Sequence, residues 1–178
     1  NPEFSMVEIY EAYRDYNDMM ALTEGIISHL VTTICGDYQI EFAGAHLDFT
    51  PPWRKMSMED AVKDLAGLDT RAYSLPDLKQ IAREKGIEGY EAANSWRELL
   101  ILFFEEMLEG QLIQPTFIYD FPIENSPLAK KHRSKEGFTE RFELFICGME
   151  IANGFSELND PLDQLARFQK QDDMRKAG

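Results

Sequence analysis

The chain has 178 residues, of which 44% are hydrophobic, so it can form one sizeable domain with a buried core. Its formal net charge of −14 argues against a phosphate-binding surface of its own, and if nucleic acid is a partner, most of the contacts lie elsewhere. The densest apolar run, Leu99 to Phe104, is far too short to cross a bilayer, and Cys35 and Cys147 form no metal or redox pattern, which predicts free thiols in a reducing cytoplasm.

The first predicted element is a strand over residues 4–10, in which two sets of side chains alternate. Residues two apart share one face of a strand, so Phe4, Glu8 and Tyr10 place an aromatic ring, a carboxylate and a phenol on the same side. A half-exposed strand with a mixed face has the same pattern. The residues of this segment alone therefore leave open whether the face binds a ligand.

A helix and a hairpin are predicted next. Apolar side chains over residues 19–34 recur with a period near that of an α-helix, and Gly36 ends the run. Residues 38–49 then predict a hairpin. The block from about 57 to 110 is expected to be a helical insertion between strands of a sheet, and it contains no catalytic motif. Its three helices are predicted to begin at capping residues: Ser57, Ser74 and Ser95.

The next segments contain a strand, a basic cluster and a final helix. Residues 116–121 predict a strand that Pro122 ends. The basic cluster K-K-H-R-S-K, at 130–135, is predicted to be a solvated loop, with contact to phosphate groups as the alternative. The final helix is predicted to begin near Asp160 and to fray over its polar end. Three of its side chains are predicted to face inward: Leu162, Leu165 and Ala166.

The most informative pattern is a second hairpin, in which apolar residues alternate on both sides of a turn at 147–148. A turn at this point places Phe145 opposite Glu150, and Glu143 opposite Ala152. Glu143 and Glu150 then share one side of the sheet as diagonal neighbours. Because two carboxylates this close repel each other, a cation is expected between them.

Two carboxylates at this spacing suit Mg²⁺, which prefers oxygen ligands and takes few from the protein when a phosphate provides the others. The alternative is a solvated strand face with two unrelated glutamates, and the two residues alone favour it. Asn153 and Glu157 have the opposite parity, so a regular strand would point them away from both glutamates. A β-bulge at Asn153-Gly154 would turn them toward the same site.

Four segments match one protein family in the same order along the chain. They are N-P-E-F-S-M-V-E-I-Y-E-A-Y at the start, L-I-Q-P-T-F-I-Y-D-F-P, S-P-L-A-K, and R-F-E followed by E-I-A-N-G-F-S-E-L-N-D. The first resembles the end of the second signature motif of class II aminoacyl-tRNA synthetases. Together, over nearly the whole chain, they resemble the lysyl-tRNA synthetases of that class.

This resemblance implies an α+β fold in which residues 1–178 are part of a catalytic domain. The expected sheet is mostly antiparallel, with the 4–10 strand, the 116–121 strand and the second hairpin flanked by helices. The implied enzyme joins lysine to ATP to give lysyl-adenylate, and then transfers the lysyl group to tRNA(Lys). The full-length protein is expected to be a cytoplasmic homodimer without a membrane partner, with its main tRNA contacts outside this chain.

The resemblance also implies four lysine-binding residues. Glu8 binds the α-amine and Asn153 orients the carboxylate end, whereas Tyr10 and Glu157 receive the ε-ammonium. Glu157 is expected to be buried, and a buried carboxylate without its cation costs roughly 3–5 kcal/mol, so neutral amino acids would be rejected.

Three further residues are implied in ATP binding. Phe4 stacks on the adenine, and Glu143 and Glu150 hold Mg²⁺ on the phosphates. The arginine-bearing half of the second motif would precede Asn1, and the third motif would follow Gly178. Because those arginines stabilise phosphate charge, we expect no adenylate formation by this chain alone.

Two other functions remain open from the sequence. A paralogue of the synthetase could lysylate a translation elongation factor instead of tRNA, although the S-P-L-A segment and Ser156 fit the synthetase better. A synthetase-like domain could also bind an amino acid without catalysis, although such a domain has no need of Glu143 and Glu150 as metal ligands.

Overall fold

The computed structural model describes residues 3–177 and has the expected α+β architecture. Its five α-helices within this range are α1 Tyr16–Cys35, α2 Met58–Ala66, α3 Leu75–Lys85, α4 Trp96–Met107 and α5 Pro161–Ala177. Its six strands there are β1 Gln39–Phe42, β2 Ala45–Asp48, β3 Arg54–Ser57, β4 Thr116–Tyr119, β5 Arg141–Ile146 and β6 Met149–Phe155. No helix among these residues is both long and apolar enough to cross a membrane.

Four of the strands form the main sheet, in the order β3-β4-β5-β6. The β4–β5 and β5–β6 pairs are antiparallel, which confirms a mostly antiparallel sheet, whereas β3 and β4 are parallel. Strand β3 was not predicted. Because parallel neighbours need a long connection, the chain between β3 and β4 has room for α2, α3 and α4. Strands β1 and β2 form a separate antiparallel hairpin.

The main sheet separates two apolar clusters. On one face, Ile118 and Phe145 belong to the cluster that contains the buried side chains of α2, α3 and α4. On the other face, Phe142 and Leu144 belong to the cluster that contains the buried side chains of α1 and β2. The parity of a residue on β5 therefore determines which set of helices it faces.

The helix ends form where local sequence signals predicted them. Gly36 has a φ of 81°, a left-handed conformation that glycine adopts easily, and its N–H donates to the carbonyl oxygen of Thr32 at 3.0 Å. The hydroxyl of each predicted capping serine accepts a hydrogen bond from the backbone N–H three residues later. These residues are Ser57, Ser74 and Ser95.

The predicted N-terminal strand is wrong. Residues 3–11 have no regular strand or helix, and the side chains of Phe4 and Tyr10 are each 81% exposed. In the described sheet, the outer strands β3 and β6 each pair on one side only, and residues 3–11 join neither of them. An extended segment needs a neighbouring strand to satisfy its backbone hydrogen bonds, so alternation of side chains alone does not make it a strand.

Helix α5 begins where expected, but its predicted inward face is wrong. Leu162 and Leu165 are 77% and 54% exposed, and Ala166 is exposed as well. Arg167 is buried instead, because its guanidinium finds carbonyl and carboxylate partners below the helix. The helix is continuous to Ala177, through the polar end.

Candidate functional site

A β-bulge determines which side chains of β5 and β6 come together. Glu150 pairs with Phe145, as predicted. The next pair is Leu144 with Ala152, so Ile151 has no partner on β5 and the register shifts by one residue. Glu143 therefore lies opposite Asn153 and not opposite Ala152. The predicted bulge exists, but it lies at residue 151 and not at 153–154.

This bulge puts three polar residues on one face of the sheet. Directly opposite residues of an antiparallel pair point to the same side, so Glu143 and Asn153 share a face, and Glu150 shares it too. It is the face on which α4 packs. The side chain of Glu143 is buried, at 8% exposure, whereas Glu150 and Asn153 are exposed.

Arg141 is the cation beside Glu143. Its Nη2 donates to Oε1 of Glu143, and its Nε donates to Oδ1 of Asn153 at 3.1 Å. The guanidinium also lies over the ring of Phe121, 4.7 Å from its centroid. This protein cation bridges Glu143 and Asn153, whereas the ion expected between Glu143 and Glu150 stays a prediction. One arginine thus orients the two opposed polar groups of the site.

The surroundings of Glu143 are acidic. Burial raises the pKa of Glu143 to about 7; the nearby Arg141 lowers it, and the carboxylates of Glu150, Glu109 and Glu105 raise it further. Burial and the carboxylate of Glu150 also raise the pKa of Glu109. Excess negative charge from oxygen groups fits a divalent cation such as Mg²⁺.

Among the residues whose side chains the structure describes, no three His, Cys, Asp or Glu side chains are arranged to hold an ion, so a complete metal cage is not preformed there. Mg²⁺ on a nucleotide does not need such a cage, because phosphate oxygens and water complete its octahedron. A buried Glu143 and an exposed Glu150 on one face are therefore a suitable donor set for an ion that arrives with its phosphates.

The four residues implied in lysine binding are all exposed: Glu8, Tyr10, Asn153 and Glu157. The predicted burial of Glu157 is wrong. It follows the end of β6 and pairs through its backbone with Ala129 in an isolated bridge. Among the described residues no hydrogen bond or ion pair involves its carboxylate, which is therefore open to solvent.

A family comparison gives the identity of the fold. The family described as tRNA synthetases class II (D, K and N) matches residues 1–177. The chain belongs to this family. The segments that suggested it from the sequence include β6, whose bulge and register place Asn153 opposite Glu143.

Several relatives match this class II chain over the whole of its length. It is 64% identical to a lysine–tRNA ligase of Methanoculleus marisnigri over 178 residues, which is all of this chain and 35% of that protein. It is 59% identical to the lysine–tRNA ligase of Methanospirillum hungatei over the same length and share. It is 51% identical to that of Nostoc punctiforme over 179 residues, or 32% of that protein. The chain thus spans about a third of the length of these curated relatives.

The basic cluster at 130–135 is a loop whose Lys130, Lys131, Arg133 and Ser134 are exposed, as predicted, but Arg133 and Lys135 also pair with carboxylates. Arg133 donates to both carboxylate oxygens of Glu140, at 2.6 and 3.0 Å, and to Asp15 at 2.8 Å. Lys135 pairs with Asp120 at 3.2 Å. The hydrogen bonds from Arg133 hold the pKa of Glu140 down to about 2, against the opposing effect of burial. These cations neutralise carboxylates of the chain itself.

Two arginines of the site were missed from the sequence. Nη1 of Arg141 donates to the carbonyl oxygen of Asn125 at 2.8 Å and to Oγ of Ser126 at 3.0 Å. Arg167 donates to the carbonyl oxygens of Ser126 and Ala129. Two guanidinium groups therefore hydrogen-bond to the S-P-L-A turn and the residue before it. Arg141 was visible in the R-F-E segment, but no local pattern marks Arg167.

Proposed function

We propose that this chain is the part of a lysine–tRNA ligase that binds lysine and the phosphates of ATP. The observation that supports this best is the β5–β6 pair, in which Glu143 and Asn153 lie opposite each other and Arg141 contacts both. It occurs in a chain that is 51–64% identical to the named lysine–tRNA ligases. A carboxylate for a metal and an amide for a substrate carboxylate are thereby held side by side.

In this proposal Glu143 and Glu150 hold Mg²⁺ on ATP, and Phe4 stacks on the adenine. Held by these two carboxylates, the ion would supply positive charge for the phosphate oxygens. Arg141 orients the carboxylate of Glu143, and the acidic surroundings favour a cation at this position. The protein contributes positioning and charge, not covalent chemistry.

The lysine end of the site uses four residues. Asn153 accepts a hydrogen bond from Arg141 on Oδ1, which leaves its Nδ2 free to donate to the carboxylate end of lysine. Glu8 binds the α-amine, and Tyr10 and Glu157 receive the ε-ammonium. A carboxylate in this role attracts the cationic end of lysine, for which a neutral amino acid has no counterpart.

We further propose that residues 1–178 are part of a catalytic domain, with residues of about 57–110 as an insertion in it. The acceptor is tRNA(Lys), contacted mainly outside this chain, and the full-length protein is a cytoplasmic homodimer. The reported relatives are named for ligation to tRNA, so we do not favour the paralogue that lysylates an elongation factor.

The decisive experiment is Glu157→Gln in a full-length protein that contains this chain. The substitution keeps size but removes charge, so the KM for lysine should rise by at least about tenfold in ATP–pyrophosphate exchange, while the KM for ATP stays nearly constant. Glu136→Gln, at another exposed glutamate, is the matched control. An unchanged KM for lysine would remove Glu157 from the pocket.

A further inference from the structure

A buried guanidinium lies under the S-P-L-A turn. Arg167 of α5 is 9% exposed. Its Nη1 donates to the carbonyl oxygens of Ser126 and Ala129, at 3.0 and 2.7 Å. Its Nε and Nη2 donate to the two carboxylate oxygens of Asp163, at 3.2 and 2.9 Å. This two-oxygen pairing fixes the plane of the guanidinium and so the direction of Nη1.

Asp163 is itself held in place. It also accepts from Nζ of Lys131, 3.0 Å from its Oδ1, and its own side chain is 11% exposed. The pair of Arg167 and Asp163 therefore joins α5 to the turn at residues 126–129 and to the segment that follows. Hydrogen bonds between buried charged groups and backbone carbonyls are strong and directional, so the turn has little freedom relative to α5.

The S-P-L-A turn also holds the backbone around Glu157. Ala129 and Glu157 form an isolated antiparallel bridge. In this bridge the N–H of Lys130 donates to the carbonyl oxygen of Ser156, at 2.8 Å. The N–H of Leu158 donates to the carbonyl oxygen of Leu128, at 3.2 Å. Among the described residues, the carboxylate of Glu157 is exposed and makes no side-chain hydrogen bond, so its position depends on its backbone. This bridge holds that backbone on one side, and the N–H of Ser156 donates to the carbonyl oxygen of Glu140, at 2.9 Å, on the residue before it.

We propose that Arg167, fixed by Asp163, is a positioning residue for the lysine end of the site. It touches no substrate; it sets the placement of Glu157 through Ala129. This inference rests on the proposed function, because it assumes that Glu157 receives the ε-ammonium of lysine. Displacement of a binding group by about 1 Å can cost about a hundredfold in rate, so a loosened bridge should weaken lysine recognition. Glu143 and Glu150 belong to the β5–β6 ladder and should be unaffected.

The test uses Arg167→Lys in a full-length protein that contains this chain, measured by ATP–pyrophosphate exchange. Lysine keeps the charge but cannot pair with Asp163 through two nitrogens and still reach both carbonyl oxygens. We expect the KM for lysine to rise about tenfold and the KM for ATP to change by less than about twofold. Asp163→Asn should act in the same direction but less strongly. Lys170→Gln, on the exposed side of α5, should change neither constant.

A double variant distinguishes positioning from a general loss of structure. If Arg167 acts through Glu157, then Arg167→Lys should raise the KM for lysine little further in a Glu157→Gln background. Equal changes in both KM values, a loss of kcat alone, or independent effects of the two substitutions would each overturn the proposal. If Arg167→Lys does not fold, Asp163→Asn alone and in the Glu157→Gln background decides by the same criteria.

The two proposals can fail separately. If Glu157→Gln leaves the KM for lysine unchanged, the assignment of Glu157 in the proposed function is wrong, and the role of Arg167 falls with it. If Glu157→Gln raises that KM and neither Arg167→Lys nor Asp163→Asn does, only the positioning role is wrong. Thermal unfolding of each variant shows whether the protein is folded under the assay conditions.

Discussion

Glu143 and Asn153 lie opposite each other on β5 and β6, and the guanidinium of Arg141 donates to both side chains. Two groups that have different tasks in the proposed reaction, metal binding and orientation of the lysine carboxylate, thus share one donor. The same guanidinium contacts Asn125 and Ser126 at the start of the S-P-L-A turn. Arg141 therefore holds the β5–β6 pair against the start of that turn.

Replacement of Arg141 should destabilise the protein. Arg141→Met removes the cation beside the buried Glu143 and the donor to Asn125 and Ser126. Because Glu143, with a pKa of about 7, can take up a proton instead, we expect the free energy of unfolding to fall by about 1–3 kcal/mol. The double variant Arg141→Met with Glu143→Gln should lose less than the sum of the two single variants. Urea denaturation of the unmodified protein, the two single variants and the double variant measures the free energy of unfolding of each. Additive losses would show that the two residues do not interact.

The Mg²⁺ requirement should depend on the two glutamates of the β5–β6 hairpin. Glu143→Gln and Glu150→Gln should each raise the Mg²⁺ concentration for half-maximal ATP–pyrophosphate exchange by about tenfold or more in a full-length protein, because each removes a charged oxygen ligand. Glu106→Gln removes an exposed carboxylate of α4 and is the control. A similar shift for Glu106→Gln would mean that overall charge, and not ligation, sets the requirement.

The pair of Arg133 and Glu140 should make stability fall in acid. The pKa of Glu140 is lowered to about 2 in the folded protein, so its stabilisation is present above its unfolded pKa, near 4.5, and is lost as the pH falls toward 2. Because Arg133 is exposed and solvent screens its charge, we expect the free energy of unfolding to fall by only about 1 kcal/mol or less. Glu140→Gln should remove this part of the pH dependence, whereas Glu136→Gln, an exposed neighbour, should not. Urea denaturation between pH 5 and 2.5 tests this.

Signals that act over a few residues predicted most of the fold. The capping serines and Gly36 fix helix ends through hydrogen bonds to residues three or four positions away, so the sequence contains the whole interaction. Strand β3 has no such signal. It forms because it pairs with β4, with Arg54 beside Thr116 and Ser57 beside Tyr119, and that pairing spans some sixty residues.

The site was likewise predictable only where local sequence patterns determine it. Alternation along β5 and β6 placed Glu143 and Glu150 on one face, but the position of the bulge depends on how the two strands fit together. The exposure of Glu157 and the burial of Arg167 depend on which segments lie nearby in space. In α5, the helical pattern favoured Leu162 and Leu165 as buried residues, yet the carbonyl groups of the S-P-L-A turn bind the arginine.

Gly154 should tolerate no side chain, because the ring of Phe142 occupies the space. A Cβ at Gly154 would lie 2.5 Å from Cζ and 2.6 Å from Cε1 of Phe142, its partner on β5. That ring is 1% exposed and packs edge-on against Phe117, with centroids 5.5 Å apart, so it cannot move aside easily.

We therefore expect Gly154→Ala to lower the free energy of unfolding by about 1–3 kcal/mol, as other overpacked cores do. Because Asn153 is the adjacent residue, the KM for lysine should rise as well in a full-length protein. Gly25→Ala is the matched control: Gly25 lies inside α1 with no atom within 4 Å of the added Cβ, so alanine should stabilise the protein by up to about 1 kcal/mol. Equal stability of Gly154→Ala and the unmodified protein would show that the ring has room to shift.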